Sequence, residues 1–324
     1  MLAVLATGAG APDVLEVQEV PTPEPGAEEV LVKVAAAGVN RADLMQRQGH
    51  YPPPPGASSI LGLEVSGEIA EVGAEVTGWE PGDACVALLA GGGYAEYVAV
   101  PAGQVIEPPT GIDRVTAGGL VELAATVTSN MRIARLAAGD HFLVHGGAGG
   151  IGSFAIQYAK AVGARVLATA GSPDKVDYCR SVGADLAVSY RDDWVSAVLD
   201  FSSQHGADVI LDGIGARYLP QHLSVLATEG RLVVIGLQGG TKGELNLGQL
   251  LAKRAQVIGT TLRSRPVREK AEICAEVAES VWPMLTSGQI KPAPQTVLPL
   301  AQAAEAHRHL ESGDNLGKII LTVA

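Results

Sequence analysis

A glycine-rich segment that follows a short apolar run constrains the fold of this chain more than any other feature. The segment is HFLVHGGAGGIGSFAIQYAKAVGA, in which Gly147, Gly149 and Gly152 fit the spacing G-x-G-x-x-G. HFLVH is predicted as a strand and the stretch after the glycines as a helix. A strand-turn-helix of this kind permits a tight turn, close packing of the helix, and an anion at the helix N-terminus. The segment therefore predicts that a dinucleotide binds at this turn.

The same alternation of strand and helix continues on both sides of the glycine-rich turn. Predicted strands such as RVLATAG, ADVILDG and GRLVVIG are separated by helices, including DKVDYCRSVGA and YLPQHLSVLAT. Such βαβ units form a parallel sheet with helices on both faces. Residues 121–263 are therefore predicted to be a doubly wound α/β domain, in which QVIGTTL forms the last strand and an exposed edge.

The first third of the chain has a different pattern of apolar residues. Short runs rich in β-branched residues, such as EEVLVKVAAAG and GLEVSGEIAEVG, are punctuated by glycine and proline turns. They predict an antiparallel, barrel-like domain over residues 1–120, completed by the tail 264–324. In that tail, REKAEICAEVAESVWPMLTSG is predicted as one helix. The polar stretch NRADLMQRQGHYPPPPG is predicted as a loop whose prolines keep it stiff.

Composition and charge narrow the class of partner. The net charge of −12 and the absence of a Lys/Arg cluster argue against nucleic acid or anionic lipid. The sequence has neither a signal peptide nor an apolar run of membrane-spanning length, which predicts a cytoplasmic protein without membrane contacts. Three isolated cysteines, Cys85, Cys179 and Cys274, indicate buried thiols and neither disulfides nor a zinc site. Small molecules, or a second copy of the chain, are the expected partners.

The end of the second strand of the α/β domain indicates which dinucleotide is preferred. An NAD site usually has an Asp or Glu there to bind the adenosine ribose. This chain has RVLATAGSPDK, in which Ser172 and Lys175 suit a 2′-phosphate, although Asp174 is a signal in the opposite direction. NADPH is therefore the predicted cofactor.

Segments spread over most of the chain carry a resemblance to a known family. They are NRADLMQRQGHYPPPPGASSILGLEVSG, HGGAGGIG, GLQGG, TTLRSR and NLGKIIL. With these segments the chain resembles the medium-chain dehydrogenase/reductases of the quinone oxidoreductase branch, relatives of zeta-crystallin. The resemblance implies a GroES-like β-barrel domain, a Rossmann domain and an active site in the cleft, and it suggests a homodimer.

The resemblance also assigns cofactor contacts residue by residue. It implies that the pyrophosphate lies at the glycine-rich turn and the adenosine phosphate near Ser172 and Lys175, with Tyr190 beside the adenine side. It places the nicotinamide half near Asn40 and Thr126 and along the three later segments. The full predicted set is Asn40, Thr126, Gly147, Gly149, Gly150, Ile151, Gly152, Ser172, Lys175, Tyr190, Gly236, Leu237, Leu262, Arg263, Asn315 and Lys318.

One departure from the wider superfamily bears on the chemistry. Zinc-dependent alcohol dehydrogenases carry a cysteine in the NRAD region and a GHE motif where this chain has Gly62, Leu63 and Glu64. Leu63 cannot bind zinc, and the four-cysteine lobe of those enzymes is missing. Catalysis is therefore predicted to proceed without a metal.

A quinone accepts a hydride without a metal, because the charge that forms is delocalised over a ring becoming aromatic. Hydrogen-bond donors such as the Asn40 amide and the Tyr51 hydroxyl are the predicted catalytic groups, since they can stabilise the developing oxyanion. Three hypotheses stay open: NADPH-dependent quinone reduction by one or two electrons, reduction of an enone or enoyl double bond, and a crystallin-like protein that binds NADPH without turnover.

Overall fold

A computed structural model describes residues 1–323 and divides the chain into two compact units. Unit 1 comprises Met1–Ala125, Leu262–Gly288 and Pro292 onwards, and unit 2 comprises Thr126–Thr261 with Gln289–Lys291. The strands are β1 (Leu2–Ala6), β2 (Leu15–Glu19), β3 (Glu29–Val39), β4 (Glu64–Val72), β5 (Ala84–Leu88), β6 (Tyr97–Pro101), β7 (Val105–Ile106), β8 (His141–His145), β9 (Arg165–Ala170), β10 (Leu186–Ser189), β11 (Ala207–Asp212), β12 (Leu226–Val234), β13 (Gln256–Gly259), β14 (Gln295–Pro299) and β15 (Lys318–Thr322). The helices are α1 (Arg41–Arg47), α2 (Arg114–Ala117), α3 (Val121–Ala134), α4 (Gly150–Val162), α5 (Pro173–Ser181), α6 (Trp194–Phe201), α7 (Leu219–Val225), α8 (Leu247–Lys253), α9 (Val267–Glu276), α10 (Trp282–Thr286) and α11 (Ala303–Ser312).

Unit 1 is built on a mainly antiparallel seven-stranded sheet of order β14-β15-β3-β4-β5-β7, with β6 paired to β3. The long strand β3 changes neighbours along one side: Glu29–Lys33 pair with β6, and Ala36–Val39 pair with β15. Register shifts in its pairing with β4 fall at the same region, and such bulges bend a strand. The strands predicted in the first third are present. Strand β1, which pairs with β2, was not predicted.

Unit 2 contains a six-stranded parallel sheet of order β10-β9-β8-β11-β12-β13. The chain runs from β8 outward to β10, then returns to the other side of β8 and runs outward through β11 to β13. The strand order therefore reverses between β8 and β11, and in open α/β sheets ligands bind at the carboxyl ends of the strands at such a point. The predicted doubly wound fold is confirmed, with β13 at the sheet edge.

The stretch NRADLMQRQG was wrongly predicted as a loop. Residues Arg41–Arg47 form helix α1, which starts after Asn40, and its buried residues are Asp43, Leu44 and Arg47. Two of these three buried side chains are charged, so the apolar periodicity by which an amphipathic helix is recognised is missing from this sequence. The residues that follow, from Gln48 through the four prolines, contain turns and bends but no helix or strand.

The helix predicted for REKAEICAEVAESVWPMLTSG is also interrupted. Helix α9 ends at Glu276, a π-helical turn covers Val277–Val281, and α10 begins at Trp282. Pro283 explains the interruption, because a proline has no N–H to donate and its ring collides with the carbonyl four residues earlier. A smaller error concerns Leu226 and Ala227, which were assigned to a helix but begin strand β12.

Within residues 1–323, no helix has both the length and the apolar character needed to cross a membrane. The three cysteines are free and buried, as predicted.

Candidate active site

The glycine-rich turn of unit 2 joins β8 to helix α4. A Cβ atom at Gly152 would lie 2.2 Å from the carbonyl oxygen of Gly146 and 2.7 Å from Cα of Gly147. A Cβ atom at Gly147 would lie 2.8 Å from Sγ of Cys179, so both positions need glycine for packing within the unit. Strand β8, the turn and helix α4 can approach one another this closely only because Gly147 and Gly152 have no side chain.

Gly149 has a different environment. It is the N-cap residue of α4, and within residues 1–323 no side chain accepts a capping hydrogen bond at this helix N-terminus. The nearest atom to a Cβ at this position would be the Gly146 oxygen at 3.5 Å, which is ordinary contact. Packing therefore does not explain a glycine here, whereas an anion that approaches the helix N-terminus does. Gly150 and Ile151 form the first turn of α4 and are partly exposed beside it. The turn thus fits the pyrophosphate of a dinucleotide.

The carboxyl ends of β9 and β10 meet near Gly171 and carry positive charge. Ser172 is the N-cap of α5 and Lys175 lies in its first turn. A Cβ at Gly171 would lie 3.0 Å from the ring of Tyr190. Arg191 donates from Nη1 to the Gly171 carbonyl at 2.5 Å, and its guanidinium lies 5.3 Å from the centroid of the Tyr190 ring.

The sequence analysis did not include Arg191 among the cofactor-binding residues, although it directly follows Tyr190. Ala170 and Gly171, at the end of β9, supply no carboxylate to a ribose. Asp174 lies in the first turn of α5, but Lys175 beside it and Arg191 offer two cations. A 2′-phosphate at this edge would meet complementary charge.

A chain of buried polar side chains joins the ends of β8 and β9 to helix α7 beside the glycine-rich turn. Nδ1 of His145, the last residue of β8, lies 2.9 Å from the Thr169 hydroxyl, and its Nε2 lies 2.8 Å from Nε2 of His222. Burial lowers the pKa of His145 well below its usual value and that of His222 to about 3, so both rings are neutral at pH 7. Two neutral imidazoles can share one hydrogen bond, whereas two imidazolium ions at this distance would repel.

Asp212, at the end of β11, shapes the next turn. Its carboxylate accepts hydrogen bonds from the backbone N–H groups of Ile214 (2.7 Å) and Gly215 (2.9 Å), and burial raises its pKa to about 6. A Cβ at Gly236 would lie 2.8 Å from the Gly213 oxygen, so the turns after β11 and β12 are in contact. The side chain of Leu237, which follows Gly236, is 44% exposed.

Asn40, Glu64 and Lys318 form a buried cluster in unit 1. Lys318 Nζ lies 2.6 Å from Glu64 Oε1 and donates to Asn40 Oδ1 at 2.6 Å. Asn40 Nδ2 donates to Glu64 Oε1 at 3.0 Å and, more weakly, to the Gly38 carbonyl at 3.4 Å. Glu64 Oε2 accepts from the backbone N–H of Glu122 at 3.0 Å. Lys318 is only 5% exposed, so it is a buried partner of Glu64 and not a surface charge.

This cluster does not fit a zinc ion. Leu63, which replaces the histidine of the zinc enzymes, is buried and has no ligand atom. Glu64 is already neutralised by the ammonium group of Lys318, and Asn40 is bonded to both.

A second buried network holds helix α1 in place. The Asp43 carboxylate accepts from the backbone N–H groups of Asn40 (2.7 Å) and Gly62 (3.1 Å) and from the Tyr94 hydroxyl (3.2 Å). The same hydroxyl lies 3.2 Å from Nε2 of His307. Burial raises the pKa of Asp43 to about 6 and lowers that of His307 to about 3. Asp43 is therefore a structural group.

Arg263 holds the segment around Tyr51 in place. Its guanidinium is 4% exposed and donates to three acceptors, the Ala90 carbonyl (2.7 Å), Gln46 Oε1 (2.6 Å) and the Tyr51 carbonyl (3.3 Å). It also lies 5.3 Å from the centroid of the Tyr51 ring. These contacts connect Arg263 to the predicted substrate residue Tyr51, while its neighbour Leu262 is buried.

The remaining predicted residues are placed as follows. Thr126 lies on α3, is partly exposed, and its carbonyl accepts from Asn130 Nδ2 at 2.7 Å. Asn315 is partly exposed before β15 and makes a long hydrogen bond of 3.4 Å to the Gly317 carbonyl. The structure thus brings Asn40 together with Lys318, and Tyr51 together with Arg263, all within unit 1.

Comparison with known proteins places this geometry in a family. Residues 26–110 match the profile of the alcohol dehydrogenase GroES-like domain and residues 150–279 that of zinc-binding dehydrogenases. The quinone oxidoreductase of Pseudomonas aeruginosa is 32% identical over 316 residues, which are 96% of each chain. A phenolphthiocerol/phthiocerol polyketide synthase of Mycobacterium tuberculosis is 29% identical over 97% of this chain, which spans only 14% of that protein.

Two solved structures are similar over almost the whole chain. The Escherichia coli quinone oxidoreductase in complex with NADPH has a TM-score of 0.89 and 28% identity, and 100% of each chain is covered. The CurK enoyl reductase has a TM-score of 0.86 and 26% identity, with 100% of this chain and 99% of that one covered. The resemblance that the sequence motifs carry is therefore confirmed: the chain belongs to the quinone oxidoreductase branch of the medium-chain dehydrogenase/reductase family.

Proposed function

We propose that the protein is an NADPH-dependent, zinc-independent reductase whose substrate is a quinone. One observation carries the proposal: helix α4 begins at an uncapped Gly149 that packing does not require, near two cations, Lys175 and Arg191, with no carboxylate at Ala170 or Gly171. The E. coli relative with NADPH bound supports the choice of cofactor. NADPH, when bound, supplies the hydride that reduces the substrate.

The residues of unit 2 bind and orient the cofactor in this proposal. The N–H groups at the start of α4, around Gly150 and Ile151, hold the pyrophosphate. Lys175, Arg191 and the Ser172 hydroxyl hold the 2′-phosphate, with Tyr190 against the adenine. Thr126, Gly236 and Leu237 lie along the nicotinamide half, and Leu262, Arg263 and Asn315 of unit 1 complete the predicted set.

The substrate oxygen is stabilised by donors of unit 1. Both amide hydrogens of Asn40 already point to acceptors, Glu64 and Gly38, so only the weaker bond of 3.4 Å is easily exchanged for a substrate. The Tyr51 hydroxyl is therefore the main hydrogen-bond donor to the substrate oxygen. The guanidinium of Arg263 holds the backbone and the ring of Tyr51 in place. Lys318, 2.6 Å from the Asn40 oxygen, keeps that amide oriented. The reduced oxygen takes its proton from water, so a general acid is not required.

Reduction of an enone or enoyl double bond is the second candidate. The similarity to the CurK enoyl reductase favours it, and the same metal-free donors would stabilise an enolate. A panel of ortho-quinones, para-quinones and enones, assayed with NADPH and NADH by loss of cofactor absorbance, separates the two. Turnover of quinones alone supports our proposal, turnover of enones alone supports the second candidate, and binding without turnover identifies a non-catalytic NADPH protein. Detection of a semiquinone would indicate one-electron transfer.

Tyr51→Phe tests the donor assignment in the same assay. We expect kcat to fall by roughly tenfold, about 1.4 kcal/mol, because one hydrogen bond to the developing oxyanion is lost. Tyr97→Phe, on β6 of the same unit, is the matched control and should retain full activity. Equal rates for Tyr51→Phe and wild type with every substrate would remove Tyr51 from the mechanism.

We further propose that the protein is a cytoplasmic homodimer. Its free, buried cysteines suit a reducing compartment. Edge strand β13 carries the 38% exposed Val257, and α8 exposes Leu251 by 76%. An edge of this kind pairs readily with a second copy. Val257→Lys should yield monomers in sedimentation velocity, whereas Val297→Lys on edge strand β14 of unit 1 should stay dimeric; a dimeric Val257→Lys variant would exclude this edge.

A further inference from the structure

Two histidines and one aspartate converge at the amino-terminal ends of β8 and β11 in unit 2. His141 is the first residue of β8 and Asp208 is the second residue of β11, and these two strands are parallel neighbours. His205 precedes Asp208 by three residues. The candidate dinucleotide turn begins after His145, at the other end of β8. At about 3.3 Å per residue, the two ends of this strand are about 13 Å apart.

The donor atoms of these side chains are within reach of one ion. His205 Nε2 lies 2.9 Å from Asp208 Oδ1, and His141 Nδ1 lies 3.5 Å from Asp208 Oδ2. One donor atom from each residue lies within 4.8 Å of the others. Two ligands of a tetrahedral zinc ion with bonds near 2.0–2.1 Å are about 3.3 Å apart, so small shifts of the three side chains bring their donor atoms onto one ion.

The fold already orients the cluster. The backbone N–H of His141 donates to Asp208 Oδ2 at 2.8 Å, and the His141 ring packs edge-on against Phe201, with centroids 5.9 Å apart. Nδ1 of His141 is buried, and within residues 1–323 its 3.5 Å separation from Asp208 Oδ2 is too long for a normal hydrogen bond. A buried polar atom without a partner is unfavourable, and a bound cation would satisfy it.

We propose that His141, His205 and Asp208 form a binding site for a divalent transition metal ion, with Zn²⁺ as the preferred ion. Two imidazoles and one carboxylate are typical zinc ligands, whereas Ca²⁺ and Mg²⁺ prefer sets of oxygen atoms only. Water completes the coordination. Because the site lies at the opposite end of β8 from the candidate dinucleotide turn, its role is to fasten β8 to β11 and not to take part in the reduction.

Arg165 competes with the metal. Its Nη1 donates to Nε2 of His141 at 3.0 Å, which places the proton of the neutral ring on Nδ1. Metal binding at Nδ1 moves that proton to Nε2, so the hydrogen bond from Arg165 is lost and the guanidinium must withdraw. Arg165 is exposed and can turn into water. Removal of Arg165 should therefore strengthen metal binding, which a simple ion pair between His205 and Asp208 does not predict.

The test is a zinc titration in competition with a chromophoric chelator. Wild type should bind one equivalent, His205→Ala should bind at least tenfold more weakly, and Arg165→Ala more tightly than wild type. His309→Ala on α11, outside the cluster, is the matched control and should behave as wild type.

Two further readouts do not depend on reductase activity. Wild type with Co²⁺ should show the intense visible bands of a tetrahedral ion, which His205→Ala should lack, and zinc should raise the Tm of wild type but not of His205→Ala. The proposal is overturned if wild type binds zinc no better than His205→Ala, which would indicate an adventitious ion only, or if Arg165→Ala binds more weakly than wild type.

Discussion

The two units build their parts of the candidate site in opposite ways. In unit 2, no side chain of the described residues caps the N-terminus of α4. Gly149 leaves a space there that a Cβ atom could occupy without a clash. In unit 1, the polar groups of Asn40, Glu64 and Lys318 are already bonded to one another in a buried cluster. The candidate cofactor site at the N-terminus of α4 is thus an open cradle, whereas the cluster of unit 1 is held together by its own hydrogen bonds.

Because of this difference, we expect substitutions in the two units to affect different properties: the stability of the fold in unit 1 and the affinity for the cofactor in unit 2. Changes in the pre-organised cluster of unit 1 should destabilise the fold, because buried charges lose their partners. Changes at Gly149 and Lys175 of unit 2 should weaken ligand binding and leave the fold intact, whereas Gly152 is also required for packing. The variants below, from the largest expected effect to the smallest, are chosen to break or sharpen this contrast.

Glu64→Gln should have the largest effect on stability. It leaves the ammonium group of Lys318, only 5% exposed, without its carboxylate, and the loss of one member of a buried pair costs about 3–5 kcal/mol. Chemical denaturation measures the loss. The double variant Glu64→Gln with Lys318→Met should recover most of it, since no charge is left buried. A loss below about 1 kcal/mol, typical of an exposed pair, would show that the cluster is hydrated.

Asp43→Asn should change the pH dependence of stability. Burial raises the pKa of Asp43 from 3.8 to about 6. Between these values the folded protein keeps a proton that the unfolded chain releases, so this group makes stability fall as the pH rises from 4 to 6, by about 3 kcal/mol.

His307 acts in the opposite direction, since its pKa falls to about 3 and its contribution to stability is lost on acidification. It is present in both proteins, so the difference between wild type and Asp43→Asn isolates Asp43. Unfolding free energies should show that, relative to wild type, the variant gains stability between pH 4 and 7. Parallel pH profiles would contradict a protonated, buried Asp43.

Two neighbouring glycines test the cradle. Gly152→Ala places a Cβ 2.2 Å from a backbone oxygen, so it should lower the unfolding free energy by about 1–3 kcal/mol as well as weaken NADPH binding. Gly149→Ala meets only an ordinary contact at 3.5 Å and should weaken NADPH at least tenfold with an unchanged Tm. Calorimetric titration and thermal melts separate these effects. Equal NADPH affinity in Gly149→Ala and wild type would exclude an anion at this turn.

Lys175→Ala should give the smallest effect, limited to cofactor choice. Loss of one charged hydrogen bond to the 2′-phosphate costs about 1.5 kcal/mol, roughly tenfold in the Kd for NADPH, while NADH should bind as before. Arg191→Ala should behave in the same way. Lys291→Ala, in the short segment of unit 2 at Gln289–Lys291, is a control that should alter neither cofactor. Equal losses for NADPH and NADH would refute the phosphate contact.

The glycine-rich turn was predictable from sequence because it depends on local backbone geometry. Gly147 and Gly152 are required by contacts within one strand-turn-helix, and the motif shows this spacing directly. The parallel sheet of unit 2, its edge at β13 and the mainly antiparallel first unit also followed from periodicity, whereas the order of the strands did not.

The polar networks of unit 1 depend on contacts between distant parts of the chain, which spacing cannot reveal. Asn40 bonds to Glu64, 24 residues away, and to Lys318, 278 residues away. Helix α1 was missed because its buried face includes Asp43 and Arg47, whose partners lie in other segments. The polar chain of His145 and His222 was missed for the same reason, since these rings lie 77 residues apart in sequence.

The most direct test of the central claim is a single turnover with metal-free protein. Chelator-treated enzyme, saturated with NADPH, is mixed with an ortho-quinone in a stopped-flow instrument, and the absorbance of the reduced nicotinamide is followed. We predict that wild type rapidly oxidises one equivalent of NADPH per chain, and that Gly149→Ala at the same cofactor concentration oxidises far less. No loss of absorbance, or a loss that appears only after zinc is added, would contradict the account.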